Sequence, residues 1–180
     1  MQQTMRTGKE RTLQIVVMAM MVALIFVFSR FLGINSDVVH LGFDFLPVMV
    51  VAYLYGPLWA AVTYMVGDLV CAIGMPLGMI NPGLTVIAGI IGLVYGFAFH
   101  NRDLSGRKII LVTVIASLAV AGVIKLFGTT LCLAVMYGSP YWAIFVSRIP
   151  NCIILFAAQV ITIPLVYRYV AVPGKRLLKG

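Results

Sequence analysis

Charged residues are scarce in this sequence. Only 10% of the 180 residues are Asp, Glu, Lys or Arg, whereas 62% are hydrophobic. A soluble domain is roughly half apolar, so the composition excludes an ordinary soluble protein. The few charges fall mainly at the two ends and between long apolar runs. We therefore expect an integral membrane protein.

Groups that enzymes and metal sites use are also in short supply. There are two histidines and five acidic residues, and the three cysteines show no metal-ligand spacing. His40 and His100 fall on opposite sides of the predicted membrane, where they cannot share a metal. The stretch from Gly122 to Gly128 lacks the Lys that follows the second glycine of a P-loop. We expect no catalytic residue, metal, cofactor or ATPase motif, which leaves binding or transport.

Six apolar runs occupy almost the whole chain, and each is expected to cross the bilayer. A spanning helix needs roughly 20 apolar residues, and in lipid it must satisfy its own backbone hydrogen bonds. The sequence therefore predicts an all-α membrane protein, a six-transmembrane-helix bundle that forms one domain over residues 1–180. The predicted spans are approximately 13–32, 43–55, 57–74, 83–100, 109–137 and 143–170.

The basic residues indicate the orientation. Ten of the 13 Lys and Arg residues lie in the N-terminal segment, in the 101–108 loop or at the C-terminus. Because Lys and Arg near span ends favour the cytoplasmic side, both termini are expected in the cytoplasm. The formal net charge of +8 is therefore interpreted as a topology signal in the cell membrane, with no nucleic-acid partner.

Two charges at span ends are assigned elsewhere, Asp44 to an outer loop and Arg168 to the C-terminal segment. Four charges then remain inside the predicted spans: Arg30, Asp68, Lys125 and Arg148. A charge at the centre of a spanning helix costs roughly 2.5–3.5 kcal/mol on insertion scales, so each needs an explanation. Counted at about 1.5 Å per residue, all four lie in the outer half of the membrane. Three cations beside one acid favour an outward-facing pocket for an anionic substrate. Structural roles stay open: Asp68 can pair with Lys125 or Arg148, and Arg30 can snorkel to headgroups.

Polar and aromatic side chains near these charges complete the candidate pocket. The stretch Arg148-Ile-Pro-Asn151 joins a charge, a proline and an amide near the outer start of the last span. Aromatic rings at span ends are common interfacial anchors, but they can also stack on a flat heterocycle. The predicted substrate-binding residues are Arg30, Phe43, Asp68, Asn81, Lys125, Tyr141, Trp142, Arg148 and Asn151.

Two small-residue steps favour close helix contacts. Ala19 and Ala23 stand four residues apart on the first span, and Gly92 and Gly96 do the same on the fourth. Such steps let helix backbones approach closely in membranes. Each step can serve packing within the bundle or docking of a partner membrane protein.

Several short motifs occur in a characteristic order along the chain. They are Leu41-Gly-Phe-Asp-Phe-Leu-Pro47, Leu54-Tyr-Gly-Pro-Leu58, Gly67-Asp-Leu69, Asn81-Pro-Gly-Leu-Thr85 and Arg148-Ile-Pro-Asn151. With the six spans and the chain length, they resemble the substrate-binding S component of an energy-coupling factor (ECF) vitamin transporter. The resemblance covers roughly residues 13–168, and the folate-type subgroup is the most similar.

The resemblance implies a high-affinity vitamin-binding subunit, with folate favoured, that works with a transmembrane coupling protein and two cytoplasmic ATPases. It also implies docking of the coupling protein at Ala19 and Ala23. Two residues depart from the family pattern: Cys132 stands where an aromatic is expected, and Asn151 where Lys is frequent. Pantothenate, a cobalamin or a pyrimidine precursor therefore stay open as substrates. An independent secondary transporter and a purely structural membrane protein are the rival classes, and the segment 33–42 is a candidate lid.

Overall fold

The computed structural model of the chain describes residues 8–31, 34–35, 40–75, 82–100, 107–138 and 140–171. Helices account for nearly all of these residues, which confirms the all-α fold. The elements are α1 (Gly8–Arg30), β1 (Ile34–Asn35), β2 (His40–Leu41), α2 (Phe45–Tyr55), α3 (Pro57–Gly74), α4 (Pro82–Phe99), α5 (Arg107–Ser117), a π-helical segment (Leu118–Thr129), α6 (Thr130–Tyr137), α7 (Tyr141–Val166) and a terminal π-helical turn (Tyr167–Ala171).

Five helical runs are long and apolar enough to cross a membrane. They are Arg11–Arg30, Pro57–Gly74, Pro82–Phe99, Arg107–Val135 and Tyr141–Tyr169. The second predicted span differs, because α2 has only 11 residues. At about 1.5 Å per residue it is roughly 16 Å long, about half the hydrocarbon thickness. The second predicted span is therefore a shorter apolar helix than the other five.

The short helix α2 is the core of the bundle. Eight of its 11 residues are buried, and Val48, Met49 and Val51 are completely enclosed. Its apolar residues show no one-sided pattern, as is typical of a helix that is covered all round. Neighbouring helices α1, α3, α4 and α7 all contact it. Because α2 is covered by other helices instead of lipid, its apolar run need not match the hydrocarbon thickness.

Glycines bring α3 and α4 into close contact. A Cβ atom at Gly92 would lie 2.7 Å from the Cα atom of Ala61, and one at Gly96 would lie 2.1 Å from the Cα atom of Pro57. Neither backbone atom can move aside cheaply. The Gly92–Gly96 step therefore serves packing within the bundle.

A tight turn and an aromatic cluster mark one end of the bundle, called here the Gly56 end. Gly56 has φ of 96°, a left-handed value that favours glycine, and it joins α2 to Pro57 at the start of α3. The rings of Tyr53, Phe99 and Tyr167 meet close by, with centroids 4.9–6.3 Å apart. The opposite end, called the Gly138 end, contains the connection between α6 and α7.

The fifth helical run is less regular than the sequence predicts. The π-helical segment occupies its middle, and only Val120 and Ala121 are buried within that segment. π-helical insertions are frequent at functional sites.

The described part of the candidate lid (33–42) is a two-residue strand pair with Ile34 opposite Leu41. Residues 33 and 36–39 of that segment lie outside the described residues, so its role as a lid stays a prediction.

Candidate functional site

Asp68 is held by a hydrogen bond between two helices. It lies 11 residues beyond Pro57, so it stands roughly 17 Å along α3 from the Gly56 end. The Oγ1 hydroxyl of Thr85 on α4 donates to Asp68 Oδ2 at 2.7 Å. Among the described residues no cation lies within ion-pair distance of Asp68, although Arg30 and Lys125 are within electrostatic range. The structural ion pair of Asp68 with Lys125 or Arg148 is therefore not formed.

Arg30 at the end of α1 is directed into the protein. Its Nη2 atom donates to the backbone carbonyl of Cys71 on α3 at 2.8 Å. The side chain is half-buried and lies within electrostatic range of Asp68. Arg30 thus ties α1 to α3 beside the acid, and this contact replaces the alternative in which it snorkels to headgroups.

Arg148 and Lys125 lie close to each other, on α7 and on the π-helical segment. Arg148 is only 9% exposed and shares the buried face of α7 with Asn151 and Cys152. Lys125 belongs to the π-helical segment, and both cations are within electrostatic range of the Cys152 thiol. No described carboxylate lies near enough to Arg148 to compensate its charge. We call Arg30, Asp68, Lys125 and Arg148 the charged cluster.

Asp44, which the sequence places in an outer loop, lies in the turn just before α2 and is buried there. It is 7% exposed, and the hydroxyl of Tyr64 on α3 donates to its Oδ2 atom at 2.5 Å. Because α2 is short, its first residues begin deep in the bundle, at about the height of Asp68. Asp44 also lies within electrostatic range of Asp68. The shortness of the apolar run 43–55, which has only 13 residues, was the sequence signal that could have revealed the burial of Asp44.

A second buried polar pair lies between α4 and α7. Tyr95 and Gln159 are completely enclosed and lie close enough to interact electrostatically. Within the described part of the chain, the Gln159 side chain is the hydrogen-bonding group that faces the Tyr95 hydroxyl. Gln159 follows Asn151 by eight residues on the same buried helix face. Sequence reasoning missed both residues, since nothing in their local pattern distinguishes them from core positions.

The aromatic candidates gather near the Gly138 end. Tyr141, Trp142 and Phe145 at the start of α7 have ring centroids 5.8–6.0 Å apart, and Phe127 of the π-helical segment joins them at 5.3 Å. Trp142 is 72% exposed, as is typical of an interfacial anchor.

The other predicted residues fall in several places. Phe43 is partly exposed, with its ring centroid 6.2 Å from that of Phe45. Asn81 lies outside the described residues. The structure thus brings together the charged cluster and Asn151, while Trp142 lies on the outer surface. Among the described residues no group of three or more His, Cys, Asp or Glu could hold a metal ion.

Known proteins share both the sequence and the fold. A family model described as "ECF-type riboflavin transporter, S component" matches residues 9–171. The Folate transporter FolT of Clostridium novyi (strain NT) is 31% identical over 146 residues, which cover 81% of this chain and 83% of that protein. FolT of Leuconostoc mesenteroides subsp. mesenteroides is 30% identical over 170 residues, or 89% of each chain.

Solved structures are similar as well. A crystal structure of FolT bound with folic acid superposes with a TM-score of 0.75 at 29% identity, covering 82% of this chain and 88% of that one. An S component of a bacterial ECF transporter gives a TM-score of 0.67 at 20% identity, covering 89% and 96%, and supports the fold alone. The chain belongs to the family of S components of ECF-type transporters. It is a multi-pass membrane protein, and the family resemblance found in the sequence is confirmed.

Proposed function

We propose that this chain is the folate-binding S component of an ECF-type importer. The similar proteins carry names that specify folate, whereas the family model is named for riboflavin. The two vitamins differ in charge: riboflavin has no carboxylate, and folate ends in a glutamate with two. The site itself therefore offers a criterion for choosing between them.

The observation that carries the proposal is the buried, uncompensated Arg148. A buried charge is costly unless a counter-charge and hydrogen bonds accompany it. No described residue supplies that counter-charge. A substrate carboxylate could fill this role, because the guanidinium fork binds carboxylates through two parallel hydrogen bonds. The arrangement favours folate over riboflavin.

We assign the remaining candidates by charge and position. Lys125 would share the glutamate carboxylates with Arg148, and Asn151 would hydrogen-bond beside them. Asp68 would accept hydrogen bonds from the pterin ring, while Arg30 would keep α1 and α3 in place around it. Phe43, Tyr141 and Trp142 would line the path of the p-aminobenzoate group, with Trp142 the least enclosed of the three. Asn81, which lies outside the described residues, stays a candidate partner of the pterin donors.

The partners follow from the family. We propose that a transmembrane coupling protein and two cytoplasmic ATPases provide the energy and that this chain hydrolyses no ATP itself. Ala19 and Ala23 are exposed on α1, in contrast to the enclosed Gly92 and Gly96. This exposure supports α1 as the docking surface. The basic residues near the span ends support the proposal that both termini are cytoplasmic and that the charged cluster lies towards the outside.

Replacement of Arg148 tests the proposal. In detergent, Arg148→Gln should weaken folate binding at least about tenfold, or about 1.4 kcal/mol, because a carboxylate loses its paired donor. Titration calorimetry measures the affinity, and size-exclusion chromatography shows that the variant is folded. Arg168→Gln is the matched control, since Arg168 is an exposed arginine near the Gly56 end of the same helical run. Equal affinities for both variants would remove Arg148 from the site.

A further inference from the structure

A hydrogen bond between α4 and α3 joins Thr85 to Asp68. Thr85 is 8% exposed and donates its single hydroxyl proton to Asp68 Oδ2. Asp68 is half-buried, so part of its side chain still faces open space. An ionised carboxylate has two oxygens and about four acceptor positions. With one oxygen tied to α4, the carboxylate plane is fixed and the other oxygen stays available to a ligand.

The charges of the cluster are arranged in an order across the site. Asp68 and Thr85 occupy α3 and α4. Asp44 and Arg30 lie within electrostatic range of Asp68, and so does Lys125 in the π-helical segment. Arg148 lies beyond it on α7, where Cys152 is the ionisable group beside it. Arg30, beside Asp68, is already hydrogen-bonded to the Cys71 carbonyl. The other two cations, Lys125 and Arg148, therefore lie away from the acceptor side of the site. A ligand with N–H donors at one end and carboxylates at the other fits this order in one orientation.

We propose that Thr85 is a positioning residue that sets substrate specificity. It holds Asp68 so that the free carboxylate oxygen accepts from the donor edge of the substrate ring, the 2-amino group and the adjacent ring N–H of a pterin. This inference rests on the proposed folate function. The ring then lies against α3 and α4, and the glutamate points towards Lys125 and Arg148.

The test is a double-mutant cycle between protein and ligand. Folate and an analogue that lacks the 2-amino group are titrated against the wild type and against Thr85→Val, which keeps the shape but removes the donor. Loss of the amino group should weaken binding to the wild type about tenfold, and to Thr85→Val by less than about threefold, because paired groups are coupled. Thr85→Ser keeps the hydroxyl and should retain the wild-type discrimination. Thr113→Val, a buried threonine on α5, is the matched control and should also retain it.

The possible outcomes separate the two claims. Wild-type protein that binds no folate would overturn the proposed function. Folate binding with equal losses in wild type and Thr85→Val, or with Thr85→Ser behaving like Thr85→Val, would overturn the role of Thr85 alone. If Thr85→Val does not fold, Asp68→Asn replaces it in the cycle. That variant should also lose discrimination for the 2-amino group, and unchanged discrimination would contradict the inference.

Discussion

The two sides of the charged cluster are built differently. On the acid side, α3 and α4 are joined through glycines, and a hydrogen bond from Thr85 fixes Asp68. On the cation side, Lys125 lies in a π-helical segment with only two buried residues, and Arg148 has no carboxylate partner among the described residues. Tight packing lowers the freedom of a side chain, and loose packing leaves it free to adjust.

This difference indicates how the site could gain affinity. The acid side is preorganised, so it spends little conformational entropy when a ligand arrives. The cation side carries an uncompensated charge whose stabilisation depends on the ligand. We therefore expect glycine substitutions between α3 and α4 to disturb the fold, and substitutions of the charges in the cluster to disturb binding.

The largest effect is expected where α3 meets α4. Gly96→Ala places a methyl group against the backbone of Pro57, so the free energy of unfolding should fall by about 2–3 kcal/mol. Gly122→Ala is the matched control on the cation side, where the nearest atom is Leu118 Cδ1 at 3.7 Å. It should change stability by less than about 1 kcal/mol. Thermal unfolding in detergent measures both, and equal losses would contradict the contrast in packing.

A charge exchange tests whether Asp68 and Lys125 act separately on the ligand. The double variant Asp68→Lys, Lys125→Asp should bind folate at least about thirtyfold more weakly than the wild type, or about 2 kcal/mol. The reason is that the donor edge of the ring would meet an ammonium group instead of a carboxylate. Affinities of the two single variants complete the comparison. Recovery of wild-type affinity in the double variant would mean that the residues only pair with each other.

The smallest effect concerns a chemical probe on the cation side. Cys152 is buried beside Arg148 and Lys125. Folate bound there should cover the thiol and slow its reaction with a small thiol reagent about fivefold. The measurement uses variants that retain a single cysteine, followed by mass spectrometry. Cys132 of α6, which is partly exposed, is the control and should react at an unchanged rate. Protection of both thiols alike would indicate a general tightening instead of occupancy beside Cys152.

Much of the fold could be predicted because lipid leaves few choices to a chain. Apolar run length and self-satisfied backbone hydrogen bonds predict helices, and the third predicted span coincides with α3. The sequence predicts the helix α2 at 43–55 but not its burial inside the bundle, because a run buried in protein and a run buried in lipid are equally apolar. Periodicity also does not specify which helix faces are covered by neighbouring helices. It therefore could not show that Gly96 faces the interior and that Ala19 is exposed.

The sequence identifies which charged residues lie in the membrane, but it does not identify the groups that they contact. Insertion cost identifies Asp68, Lys125 and Arg148 as residues that need an explanation, whatever the fold. Their partners come from other helices: Thr85 for Asp68, and the Cys71 carbonyl for Arg30. Such contacts depend on helix rotation and height, and neither can be read from one helix alone.

The central claim is that the charged cluster receives a carboxylate-bearing vitamin. The most direct measurement is titration calorimetry of the purified wild-type protein with folate and with riboflavin in the same buffer. Our account predicts saturable folate binding with a dissociation constant below about 1 µM, corresponding to about −8 kcal/mol, and no measurable heat with riboflavin. Tight riboflavin binding without folate binding would contradict it.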